Sequence, residues 1–126
     1  MKEIFFNPDG GALIAKAIFP PSAAAPASYE LLLRESGSNI TTSLLKGDNL
    51  NPQDDIVTLP IPVDQNNGRR IILETGFVGL DITHTPDYTI QLEIWQDGAR
   101  LGFEQDNGAF TGKAQYSIIF IRLTAN

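Results

Sequence analysis

The stretch YTIQLEIWQDGARLGF (Tyr88–Phe103) constrains the fold most, because it predicts one β-hairpin together with its register. Two runs of alternating apolar and polar residues flank Asp97-Gly98, and Gly tolerates the positive φ that a two-residue type I′ turn requires. Such a turn pairs Gln96 with Ala99. The chain is therefore expected to contain at least one antiparallel strand pair.

Counting away from this turn assigns each hairpin residue to one face of the sheet. On the face that we expect to be buried, Ile94 falls opposite Leu101 and Leu92 opposite Phe103. The other face carries the remaining pairs, Trp95 with Arg100 and Gln91 with Glu104, together with Glu93. The only Trp of the chain is thus expected to point away from the core.

The rest of the chain favours an all-β fold. Period-two alternation and turn signals from Gly, Asn, Asp and Pro recur, whereas no dozen residues keep the spacing of an amphipathic helix. About nine short strands predict a two-sheet antiparallel β-sandwich as a single domain over residues 1–126, immunoglobulin-like or jelly-roll-like, with a barrel as second choice. Tyr88 starts a late strand just after a turn, which suits either a tyrosine corner or an ordinary core aromatic.

Two further segments carry positional information. Pro60 and Pro62 lack a backbone N–H, so they confine the strand Ile56–Val63 to a sheet edge. The segment Gln115–Leu123 contains SIIFIRL, which is apolar at both parities and predicts a central strand that is covered on both faces.

Composition excludes several classes of partner. Nine basic residues against fifteen acidic ones give a net charge of −6, and the basic residues are scattered, which disfavours nucleic acid and anionic membranes. No segment approaches the roughly 18 consecutive apolar residues of a membrane span, so we expect no membrane insertion. No signal peptide is recognisable, which predicts cytoplasmic synthesis. Leaderless export, or a mature chain behind a new Met, would give the same sequence, so the final compartment stays open.

The catalytic inventory is sparse. There is no Cys, His84 is the only histidine, and no serine lies in a GxSxG pattern, so we expect neither an enzyme nor a cofactor. An acidic loop offers Asp48, Asp54 and Asp55 as calcium ligands. Because it lacks the alternating DxDxDG spacing and the closing Glu of an EF-hand, a solvated turn is the expected outcome and no metal site is predicted.

Our first functional hypothesis is a structural protein that self-assembles into an oligomer, shell or filament through edge strands and an outward Trp/Arg cluster. Trp and Arg are enriched together at protein hot spots, and the cluster comprises Trp95, Arg100, Gln91, Glu93 and Glu104. The segment Ala12–Phe19 precedes a Pro/Ala-rich connection and could pair with the sheet of a neighbouring copy. Its assembly face would consist of Leu13, Ala15, Ala17 and Phe19.

The second hypothesis is a small lectin-like module. An indole framed by amides and carboxylates, as Trp95 is here, also suits stacking against a sugar ring. The partner would then be a carbohydrate rather than a second copy of the chain.

Overall fold

The computed structural model describes residues 1–20, 25–50, 55–79 and 87–126. Within these ranges the chain forms nine strands and a 3-10 helix over Val63–Asn66. The strands are β1 (Lys2–Phe6), β2 (Leu13–Ile18), β3 (Ala27–Arg34), β4 (Thr41–Asp48), β5 (Asp55–Thr58), β6 (Arg70–Val78), β7 (Asp87–Gln96), β8 (Ala99–Ala109) and β9 (Ala114–Ala125).

Two sheets pack face to face, which confirms the all-β sandwich. One sheet has the strand order β1-β9-β6-β3-β4 and the other β5-β2-β7-β8, and neither closes into a barrel. The pair of β1 and β9 is parallel, so the expectation of a wholly antiparallel sandwich is wrong there. These strands are far apart in sequence, so no short hairpin turn forces them to run in opposite directions.

Alternate residues of both sheets point into one shared core. Tyr88 lies 5.0 Å from Phe77, ring to ring, and Phe110 packs against both rings. Each fully buried large apolar side chain contributes roughly 1.5–3 kcal/mol to stability. These side chains are Phe6, Leu13, Leu31, Leu33, Leu59, Ile71, Leu73, Phe77, Ile90, Leu92, Ile94 and Ile121.

The proline-marked strand lies at a sheet edge, as predicted. Among the described strands β5 pairs with β2 alone, and it ends at Thr58, before Pro60 and Pro62.

The predicted assembly strand belongs to its own sheet. Leu13, Ala15 and Ala17 share a face, as predicted, and are buried in the core, while Phe19 packs at its margin, 5.9 Å from Tyr29. Within the single chain this strand pairs with β5 and β7, so its pairing with a neighbouring copy stays a prediction. In this arrangement neither of its edges is open to a second chain.

The hairpin of β7 and β8 keeps the predicted turn. Asp97 and Gly98 have φ of 52° and 78°, as a type I′ turn requires, and the pairs of Gln96 with Ala99 and Trp95 with Arg100 are confirmed. Farther from the turn, a β-bulge shifts the register. Ile94 then faces Gly102, Leu92 faces Glu104, Glu93 faces Phe103 and Gln91 faces Gln105, so the other predicted pairs are wrong.

The bulge has a packing cause. Leu101 is the extra residue, and beyond it Gly102 points inward while Leu101 and Phe103 point outward. A Cβ at Gly102 would lie 3.1 Å from the side chain of Ile4 in the other sheet. The register therefore places the residue without a side chain where the two sheets come close together.

Strand β9 is central, between β1 and β6, but only one of its faces is covered by the described residues. Ile119, Ile121 and Leu123 are buried, whereas Ile118 is 53% and Phe120 39% exposed. The expectation that both faces are covered is therefore wrong for the part of the chain that is described.

Candidate functional site

The outer face of the four-stranded sheet brings four of the five residues of the predicted cluster together. We call Gln91, Glu93, Trp95 and Arg100 the Glu93 cluster, because Glu93 is only 6% exposed and accepts hydrogen bonds from the other three. Trp95 Nε1 donates to Glu93 Oε1 at 2.9 Å, and Arg100 Nη1 donates to Oε2 at 2.9 Å. Gln91 Nε2 donates to Oε2 at 3.4 Å.

Two contacts of this cluster were not predicted from the sequence. The Lys16 ammonium lies 4.0 Å from the centroid of the Trp95 ring, and the Arg100 guanidinium lies 4.6 Å from that of Phe103. Each cation–π contact contributes about 0.5–1 kcal/mol at an exposed site. Lys16 is opposite Glu93 in the pairing of β2 with β7, a contact between distant segments that no local pattern reveals.

The fifth predicted residue, Glu104, lies on the opposite face of β8 from Phe103, beside Lys2 and Ile118. The bulge moved it there, so the predicted placement next to Glu93 is wrong. Within the Glu93 cluster, both carboxylate oxygens accept hydrogen bonds and Lys16 covers one face of the indole. This arrangement stabilises the sheet and leaves few polar atoms for a ligand.

The acidic loop offers little to a cation in the described part of the chain. Asp54 and His84 lie outside the described residues, and the Asp48 carboxylate accepts the backbone N–H of Leu50 at 3.0 Å. Among the described residues, no three His, Cys, Asp or Glu side chains gather as metal ligands. Nor does any helix in those ranges have the length and apolar character needed to cross a membrane.

The outer face of the five-stranded sheet is the second candidate. Leu32 on β3, Ile72 on β6 and Phe120 on β9 are directly paired across the strands, and we call them the apolar row. Ile118, about half-exposed, extends the apolar surface along β9, whereas Phe5, also half-exposed, lies beyond Arg122 as the β1 partner of Thr124. Ile72 is buried at 6% exposure, so the exposed apolar area consists of Phe120 and Ile118 with the partly buried Leu32. An exposed apolar area typically marks an interaction site.

A groove of about 600 Å³ adjoins this surface. Small residues, Ser28, Gly47 and Gly76, form its floor, and Tyr116, which is 78% exposed, stands beside Gly76. Three charged side chains also line it: Glu30, Glu74 and Lys46. Lys46 Nζ lies 3.6 Å from Glu30 Oε2.

The sequence contained a signal for this second face, but it pointed to the wrong conclusion. Apolar residues at both parities of β9 indicate two faces that avoid water, and a covering layer within the chain was the expected explanation. The described residues cover one face only. Comparison with protein-family models, with curated proteins and with solved structures gave no match to this chain.

Proposed function

We propose that this protein is a non-enzymatic β-sandwich subunit that self-assembles through the outer face of its five-stranded sheet. One observation carries the proposal: Phe120 is 39% and Ile118 53% exposed beside the buried Ile72 and the partly buried Leu32, on a central part of the sheet. Covering such a surface is favourable by roughly 25 cal/mol for each Å² of apolar area removed from water. A second copy of the chain supplies a matching surface without any further partner.

The Glu93 cluster is the weaker candidate for the contact. Its hydrogen bonds are made within the chain, so binding there would have to rely on the exposed edges of Phe103 and Arg100. The two faces can be compared directly, because Phe103 and Phe120 are both 39% exposed and lie on opposite outer faces.

The test is size-exclusion chromatography with light scattering from low to high micromolar concentration, on wild type, Phe120→Ser and Phe103→Ser. We expect wild type and Phe103→Ser to approach twice the monomer mass of 13.7 kDa, and Phe120→Ser to remain monomeric. Loss of assembly in Phe103→Ser alone would move the contact to the Glu93 cluster. A wild type that is monomeric at every concentration would end the proposal.

Carbohydrate binding is the second candidate, and the groove supports it better than Trp95 does. The exposed ring of Tyr116 offers a stacking surface, and Glu30, Glu74 and Lys46 offer hydrogen-bonding groups beside it. The test is the NMR amide spectrum during titration with glucose, galactose, mannose and cellobiose. Saturable shifts near Tyr116 that Tyr116→Ala removes would support this function, and no shift at millimolar sugar would contradict it.

A further inference from the structure

Three cross-strand rows of different character follow one another on the outer face of the five-stranded sheet. The basic row is Arg34, Arg70 and Arg122, the apolar row is Leu32, Ile72 and Phe120, and the acidic row is Glu30 and Glu74, with Ile118 completing it on β9. Within each row the residues are direct partners on β3, β6 and β9. Successive rows are two residues apart along each strand, or roughly 6.8 Å.

The charges of these rows are not balanced within the three central strands. Like charges directly opposite each other destabilise a sheet, yet Arg70 lies between Arg34 and Arg122, and Glu74 lies beside Glu30. At the sheet margins each charged row has a neighbour of the opposite sign. Glu3 is the β1 partner of Arg122, and Lys46 forms an ion pair with Glu30. The charge contrast is therefore centred on β6, at Arg70 and Glu74.

We infer that two copies of this chain pack face to face about a twofold axis that runs along the apolar row, perpendicular to the strands; this inference rests on the proposed self-assembly. Such an axis lays each apolar row on its counterpart and exchanges the rows on either side. Arg70 then faces the partner's Glu74, and Glu74 faces the partner's Arg70. An axis parallel to the strands would instead lay arginine on arginine and glutamate on glutamate.

The aromatic residues of the face support the same axis. On β9, Tyr116 and Thr124 lie four residues to either side of Phe120, and Phe5 is the β1 partner of Thr124. The axis therefore brings Tyr116 over the partner's Thr124 and next to its Phe5. These two aromatic side chains are at least half-exposed in the single chain, and both would be buried by the contact.

The size of the face suits a reversible dimer. Four spacings of roughly 4.8 Å between five strands, and nine residues of β6 at roughly 3.4 Å, give a projected face of about 590 Å². Protruding side chains add to the accessible area, and a standard interface buries about 800 Å² from each partner. Closed twofold symmetry also limits the assembly through this face to two copies.

The experiment measures the dimer dissociation constant of wild type, Arg70→Glu, Glu74→Arg and the double exchange Arg70→Glu/Glu74→Arg by analytical ultracentrifugation. Each single exchange puts like charges across the interface, so we expect dissociation constants about tenfold or more above wild type. The double exchange restores opposite charges at both contacts and should return the constant close to the wild-type value.

The same variants also show whether the exchanges impair folding. Each single exchange turns a like-charge cross-strand pair into an opposite-charge pair. The thermal stability of the monomer, measured at protein concentrations below the dimer dissociation constant, should therefore be unchanged or higher. Arg70→Ala and Glu74→Ala replace any variant that misfolds, and each should also weaken the dimer. The proposed axis is wrong if the double exchange dimerises as weakly as the single exchanges, or if the single exchanges dimerise as tightly as wild type. The self-assembly proposal would still hold in either case if Phe120→Ser remains monomeric. A wild type that never dimerises would overturn both.

Discussion

At the scale of single residues, the wrong predictions for the hairpin of β7 and β8 have one cause, the bulge at Leu101. The Asp97-Gly98 turn fixes the pairs next to it, because its two positive φ values leave one hairpin geometry. The bulge at Leu101 depends on Ile4, which fills the space over Gly102 from the other sheet. No pattern within the hairpin contains that contact, so the sequence predicted Trp95 outward correctly and Phe103 inward wrongly.

The buried carboxylate of Glu93 is expected to contribute to the stability of the fold. Glu93→Ala leaves the donors Trp95 Nε1 and Arg100 Nη1 without their buried acceptor, so we expect a loss of about 1–3 kcal/mol in the free energy of unfolding. Glu104→Ala is the matched control, because that carboxylate lies outside the cluster, and it should stay within about 0.5 kcal/mol. Urea denaturation measures both, and equal losses would contradict the role of Glu93.

Tyr29 predicts a dependence of stability on alkaline pH. Burial of the ring, and then the nearby Asp55 and Asp48, raise the pKa of its hydroxyl well above the usual value. The unfolded chain releases this proton near pH 10 while the folded chain keeps it, so the free energy of unfolding should fall as pH rises above about 10.

Tyr29→Phe isolates this contribution. The Tyr29 hydroxyl lies near the Asp55 carboxylate but makes no hydrogen bond of good geometry to a described residue, so the variant should stay close to wild type in stability at neutral pH. Above pH 10 its stability should fall less steeply, since the proton difference at this residue is gone. Parallel pH profiles for the two proteins, from urea denaturation, would refute the assignment.

At the scale of strands, the hairpin of β7 and β8 offers a test of the shifted register. Ile94 is fully buried, so Ile94→Ala should cost about 2–5 kcal/mol, whereas Phe103→Ala removes a half-exposed ring and should cost about 1 kcal/mol. The unbulged register would bury both side chains and make the two losses similar. Thermal and urea unfolding of the two variants distinguishes the registers.

Strand β2 gives a second prediction at this scale. Deleting Met1–Pro20 removes β1 and β2, and with them the fully buried Phe6, Leu13 and Ala15. We expect the shortened chain to lose cooperative unfolding and dispersed amide resonances. A shortened chain that folds and rebinds an Ala12–Phe19 peptide would instead restore strand exchange between copies as the mode of assembly.

At the scale of the whole molecule, period-two alternation and turn residues were enough to predict two packed sheets. They did not determine which strands pair, because β1 and β9 meet from distant parts of the chain and β2 inserts between β5 and β7. The apolar character of both faces of β9 was also visible in the sequence. Whether a layer of the same chain covers the second face depends on strand order, which no local pattern encodes.

Self-assembly also predicts how heat stability depends on concentration. A dimer that dissociates on unfolding has a midpoint temperature that rises with protein concentration, by mass action. We expect this rise in wild type and in Phe103→Ser, and its absence in Phe120→Ser. Scanning calorimetry at several concentrations measures it, and a wild-type midpoint that stays constant would contradict assembly in this range.

The parallel pair of β1 and β9 has a mechanical consequence. Five residue pairs, from Lys2 with Ile121 to Phe6 with Ala125, join the first strand to the last. A force that pulls β1 by its beginning and β9 by its end acts along both strands, so their hydrogen bonds are sheared together rather than opened one after another. Resistance to stretching should accordingly be high along this direction and low when a hairpin such as β7 and β8 is peeled open from its free ends.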